Sequence, residues 1–379
     1  MDDALLEKFK NLKSSELDSL TPEEKNELTK RLNDNIQFNQ TEKYLKLVDS
    51  KRYSGKSIID IIAKVKQSIR PEKYHNDVAI NLDEKALKEH MVNFYTEYFP
   101  ERADEVKSIL NGTHPLFIDR EGNSHVYFER AKKCVNQTSS VGSSGDDNYL
   151  DFYVYLHDSI DDLRTTAHEL AHALSAHHQK RVINARAGKK IDHSKKDFER
   201  DCVGEIESTI VEQLFNRYLK SEGLYTKDDL INYRRGYEHY IFDIIGQIME
   251  ERDVLTDIEF PLSTPDLEEH VAKLIGSKKW KKTNRLRNMI IDPGHNCSYM
   301  FRYVVGWIVS DQWLKKYAKS NELEREIMLG DFEEHLMKTD ILNLDDACME
   351  LLGKNFGQIA KDYIRDLQIN KEQTHKEEL

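Results

Sequence analysis

The strongest pattern along the chain is helical. Leu163, Ala167, Leu170, Ala171 and Leu174 recur at three- and four-residue spacing with no Gly or Pro among them, which predicts an amphipathic helix. Ser159, with Asp162 three positions on, supplies a capping-box start for it. The same period returns over 197–219 through Phe198, Cys202, Ile206, Ile210, Leu214 and Tyr218. Helices are also predicted over about 82–98, 226–252, 266–276, 298–319, 321–338 and 343–367, with breaks at Pro261–Pro265 and Pro293-Gly294. Residues 1 to about 70 predict charged helices, for which Thr21-Pro22-Glu23-Glu24 is a start signal. Only the stretch over about 115–157 has strand texture. PLFIDREGNSHVYFER predicts two short strands about a turn at Glu121-Gly122-Asn123, and YLDFYVYLH (Tyr149–His157) a third. Ser139–Asn148 is expected to be a mobile Gly/Ser loop and Lys180–Lys196 an exposed one. The residues after Asn370 are expected to form a disordered tail.

The first of these helices carries His168-Glu169-Leu170-Ala171-His172, an HExxH pattern. Residues four apart share a helix face, so both imidazoles can reach one Zn²⁺ while Glu169 takes a proton from a water on it. A catalytic zinc needs three protein ligands and an open position. His177 and His178 lack the spacing for the third and are expected to be exposed helix-end residues. The 197–219 helix offers Glu205, 33 residues after His172. Ser208 and Glu212 lie on the same face as Glu205, and Glu207 points about 200° away, so only one of Glu205 and Glu207 can face the metal. Glu205 is the expected ligand. Asp201, one turn earlier, could accept the N–H of a ligand histidine.

The block NYLDFYVYLHDSIDDLRTTAHELAHALS, then Glu205-Ile206-Glu207-Ser208 with Glu212, then His295-Asn296-Cys297-Ser298-Tyr299-Met300-Phe301-Arg302-Tyr303-Val304-Val305-Gly306, resembles the thimet oligopeptidase and oligoendopeptidase F family of gluzincin metallopeptidases. The resemblance covers about 150–310 and implies a zinc-dependent metalloendopeptidase. His168, His172 and Glu205 would hold one Zn²⁺, Glu169 would be the general base, and His295, Tyr299 and Tyr303 would donate to the oxyanion. The chain departs from the family pattern in a longer gap between His172 and Glu205, a His295 closer to its tyrosines, Phe301 at a tyrosine position, and a much shorter length.

The expected fold is mainly α: two helical lobes flanking a zinc-containing cleft, with the small β-sheet at about 115–157 preceding the HExxH helix. Residues 1–110 would be an N-terminal helical lobe, 111–370 the catalytic domain and 371–379 the tail. A formal net charge of −12 argues against nucleic acid and anionic membrane as partners. No apolar run approaches the roughly 20 residues that span a bilayer, and MDDALLEKFK has no signal-peptide pattern. A cytoplasmic location is expected, with leaderless delivery into a host cell as an effector the other possibility. Cys134, Cys202, Cys297 and Cys348 are too scattered for a disulfide framework. The expected substrate is an oligopeptide or an exposed segment of a protein. A catalytically silent zinc-fold binding protein and a hydrolase of a non-peptide amide are the alternatives.

Overall fold

The computed structural model describes residues 20–38, 41–69, 71–74, 79–80, 83–131, 139–143, 148–189, 198–255, 263–265, 269, 297–338 and 343–377. They are mostly helical, with one small sheet of three strands. Packing divides the chain into two units that each combine distant stretches: Met1–Arg70 with Tyr240–Val304, and Pro71–His239 with Val305–Leu379.

In the first unit α1 (Pro22–Phe38), α2 (Thr41–Asp49) and α3 (Ile58–Ser68) join the ends of two long helices, α9 from Tyr240 to Leu255 and α10 from Cys297 to Val304. Ser57 caps α3 through a capping box with Asp60. Its buried Ile58, Ile61, Ile62 and Val65 form one core stripe, and Ile241, Ile244, Ile245 and Ile248 form the matching stripe of α9. Arg252 bonds Asp49 at 2.7 Å, and Tyr44 meets the Phe301 ring edge-on.

The second unit holds the sheet and the HExxH helix. Strand β1 (Val126–Arg130) pairs parallel with β3 (Leu150–Leu156), and β2 (Ser140–Ser143) pairs antiparallel on the other side of β3, giving the order β1-β3-β2. Along β3 the alternation is clean. Leu150, Phe152, Val154 and Leu156 are buried, while Asp151, Tyr153 and Tyr155 lie on the half-buried face. The chain then turns at Asp158, in the left-handed region at φ 58°, into α6 (Ile160–Leu174). The predicted cap is present: the Ser159 hydroxyl accepts from the Asp161 N–H, and Asp162 accepts from the N–H groups of Ser159 and His157. That fixes where α6 starts, and so the angle at which its histidines point.

Helix α8 (Phe198–Ser221) lies along α6 and is buried along most of its length. Around this pair stand α4 (Glu84–Tyr98), α5 (Ala103–Leu110), α7 (Ala176–Arg186), α9 from Lys227 to His239, α10 from Val305 to Lys319, α11 (Glu322–Leu336), α12 (Leu344–Leu352) and α13 (Phe356–Glu377). Phe94 of α4 packs edge-on against Phe215 and Tyr218 of α8. These aromatics belong to the core.

Five expectations change. Pro115–Phe117 is a 3-10 turn, which suits a Pro with no N–H to donate, and the first predicted strand shrinks to the single bridge Ile118↔Ser124. Within the predicted Gly/Ser loop, Ser140–Ser143 is a strand, because ladder pairing with β3 asks only for backbone groups. The start of the predicted 180–196 loop lies in α7. That helix is anchored by polar reach rather than an apolar stripe, Arg186 donating to the carbonyls of Asn148, Pro115 and Ile118. The helix expected over 343–367 divides at Gly353, whose left-handed φ of 67° closes α12 with an N–H bond to Met349 O. Finally, α13 continues past Asn370 to Glu377 where a disordered tail was expected.

Cys202 and Cys348 are buried. Among the described residues no helix is long and apolar enough to cross a membrane.

Candidate metal centre

His168 and His172 project from α6 with their rings edge to face, 5.0 Å between centroids. Glu205 of α8 meets both. Its Oε2 is 3.4 Å from His168 Nε2 and its Oε1 is 3.8 Å from His172 Nε2. Ligand atoms of the three residues all lie within 4.8 Å of one another, the one such group among the described residues. Donors on a tetrahedral metal with bonds near 2.1 Å stand roughly 3.4 Å apart, so the spacing suits a single ion at their centre.

The proton accounting points the same way. His168 Nδ1 lies 3.1 Å from Glu212 Oε2, two turns beyond Glu205 on α8. A neutral imidazole donating from Nδ1 to that carboxylate turns the lone pair of Nε2 toward the Glu205 carboxylate. Two acceptors face to face need a cation between them, either a proton or a metal. Burial alone would push the His168 pKa down, yet the bonds to Glu205 and Glu212 carry it well above the usual histidine value. The pocket therefore draws positive charge to this spot.

Glu212 is itself held. Tyr233 of α9 donates to its Oε1 at 2.7 Å, and the Arg164 guanidinium lies 4.4 Å over the Tyr233 ring. Arg164 sits one turn before His168 on α6 and bonds Tyr225 and Asp161. Burial, followed by the charge of Glu212, raises the Tyr233 pKa well above its ordinary value, so it remains a donor. For His168 the accepting carboxylate is thus Glu212; Asp201, the carboxylate expected from the sequence for a ligand histidine, is exposed. Nothing in the local spacing marks Tyr233 or Arg164. They reach the histidine only once α9 is packed beside α8. If this brace sets the tautomer and angle of His168, Tyr233→Phe will weaken metal binding about tenfold while the protein stays folded. Competition with a chromophoric chelator measures it, and an unchanged affinity would remove Tyr233 from the brace.

Glu207 faces the other way, as helical geometry requires. It is buried against Arg200 at 3.1 Å, with the Ser175 hydroxyl accepting from the same guanidinium at 3.0 Å and His335 Nε2 at 3.6 Å. Gly306 explains how closely α10 approaches α8: a Cβ there would stand 2.8 Å from Glu205 O and 3.0 Å from Thr209 Oγ1. Gly306→Ala must push the two helices apart or strain both, a cost of about 1–3 kcal/mol. A denaturant titration that finds the variant as stable as the parent would contradict this.

Glu169, beside His168 on α6, is half-buried. Its Oε2 accepts the backbone N–H of Val141 in β2 at 2.9 Å. Of the three other expected groups, His295 lies outside the described residues and Tyr299 falls in the first turn of α10. Tyr303 belongs to the first unit, where its hydroxyl accepts from Arg302 at 3.2 Å and its ring stands near Tyr240.

No family model matches the chain, and no curated protein matches it. Two solved structures do. One, from Bacillus anthracis and assigned as an oligoendopeptidase F, is 14% identical with a TM-score of 0.46 over 88% of this chain and 55% of its own. The other, from Chlamydophila abortus and assigned as a peptidase, is 15% identical with a TM-score of 0.46 over 89% of this chain and 56% of its own. The chain thus spans little more than half the length of either.

Proposed function

We propose that this chain is a zinc-dependent endopeptidase. The observation that carries the proposal is the meeting of His168, His172 and Glu205 donor atoms beside Glu169, where the general base touches the outer strand of the sheet. Two imidazoles and one carboxylate form a donor set that suits Zn²⁺ and leaves a coordination position open. The outer edge of β2 beside the base, where the Val141 C=O faces outward, suits an extended polypeptide backbone, which favours a peptide over an isolated amide.

When bound, zinc would supply a Lewis acid that makes water nucleophilic near neutral pH. The chain's residues do the rest. Glu169 removes a proton as the water oxygen bonds to the scissile carbonyl carbon. It returns that proton to the amine nitrogen as the C–N bond breaks. Glu212 keeps His168 in the tautomer that leaves Nε2 free to ligate, with Tyr233 behind it. His295, Tyr299 and Tyr303 are proposed as oxyanion donors on the strength of the sequence resemblance alone.

The test pairs metal analysis with cleavage of a quenched fluorescent peptide library. About one zinc per chain is expected, with cleavage lost on chelation and regained on adding Zn²⁺. Zinc binding without cleavage of any peptide would favour a silent zinc-fold binding protein.

A further inference from the structure

We infer that the backbone N–H of Val141 is the positioning donor for the general base: strand β2 holds the Glu169 carboxylate in its working rotamer. This rests on the peptidase proposal and adds to it a residue that the sequence argument had placed in a mobile loop.

The geometry of the sheet makes this possible. Val141 stands opposite Phe152 in the antiparallel β2–β3 pair. The Phe152 N–H is turned toward β1, where it bonds His125 O at 2.9 Å. Val141 and Phe152 are therefore a non-hydrogen-bonded pair, and the Val141 N–H and C=O project from the outer edge of β2. Gly142 and Ser140, whose partners are Asp151 and Tyr153, point theirs inward to β3. On that outer edge the Val141 N–H meets Glu169 Oε2 at 2.9 Å.

A glutamate has three rotatable bonds, and its freedom costs rate if the carboxylate must be found in one place at the moment of proton transfer. A backbone donor in a paired strand cannot swing away as a side-chain donor can. A bond to an ionised acceptor is also stronger than a neutral one. The N–H pins one carboxylate oxygen and so the whole side chain. Conversely, Glu169 ties the short strand β2 to α6, which keeps the strand edge in register with the metal ligands.

Two measurements test this on the full-length protein. The first is amide hydrogen exchange at single-residue resolution, comparing the parent with Glu169→Ala. Exchange at Val141 should rise at least tenfold in the variant, while Ser140 and Gly142, bonded to β3, change little. Equal Val141 exchange in both proteins overturns the inference, whether or not any peptide is cleaved. The second is kinetic, on zinc-loaded protein. Val141→Pro removes the N–H at an outward-facing edge position, where the ladder to β3 does not need it. A fall in kcat of about ten- to a hundredfold is expected, with KM and zinc affinity within about twofold of the parent. Val141→Ala keeps the N–H and should retain the parent kcat. Parent-like kcat in the proline variant, or an equal loss in the alanine variant, overturns the inference. If the proline variant fails to fold, the exchange comparison decides alone. Should the parent cleave nothing, the peptidase proposal fails while the exchange result still reports whether the contact exists.

Discussion

Glu169→Gln is expected to keep its metal and lose peptide hydrolysis by about a hundred- to ten-thousandfold, the range a positioned acid–base group contributes. Glutamine matches the side chain in size, and its carbonyl oxygen can still accept the Val141 N–H that now reaches Glu169. It cannot take a proton from water. Glu169 is not among the three residues whose donor atoms converge, so metal content should be unchanged. Inductively coupled plasma analysis, with steady-state kinetics on a cleaved peptide, reads both quantities from one preparation. A variant that keeps its zinc and retains more than a tenth of the parent rate would show that another group is the base.

The second large effect separates two glutamates that lie two residues apart on α8. Glu205→Ala removes one of three ligands and should abolish stoichiometric zinc binding and activity together. Its fold should survive, because Glu212 still holds His168 once the buried Glu205 carboxylate is gone. Glu207→Ala should do the reverse. Glu207 is 1% exposed and Arg200 3% exposed, and their ion pair has no water to fall back on. Breaking a buried pair from one side costs about 3–5 kcal/mol, because the remaining charge stays buried without its counterpart. The Glu207 variant should therefore unfold at markedly lower denaturant, and any folded fraction should still bind zinc. Metal titration and urea unfolding on both variants give four numbers. Zinc retained by the Glu205 variant and lost by the Glu207 variant would reverse the assignment.

Much of the metal cluster was legible because an α-helix turns local spacing into geometry. His168 and His172 share a face by the four-residue rule, and the helical angle lets only one of Glu205 and Glu207 face them. Ser159 and Asp162 marked the helix start for the same reason, since capping is a local bond. What escaped was everything set by partners far away in sequence. Val141 lies in a segment rich in Ser and Gly that has no strand composition of its own. It is a strand because Leu150–Leu156 offers an edge to pair with. Tyr233 stands 21 residues beyond Glu212, on another helix, and reaches it only through packing. The 176–186 helix has charged side chains where a periodic apolar stripe would have announced it, and Arg186 anchors it through carbonyls of the 115–118 and 148 segments.

The sequence by itself determined the helical character of the chain, the small sheet before α6, and which side chains of α6 and α8 could share an ion. Those properties follow from period and spacing, which survive without knowledge of any neighbour. Only the tertiary structure decided that Glu212 braces His168 and that a backbone N–H from β2 meets Glu169. The same is true of the division into two units of non-adjacent stretches. The physical reason is common to all three. Hydrogen bonds between elements depend on how the elements pack, and packing is set by the burial of apolar area, which has no direction along the chain and leaves no local signature.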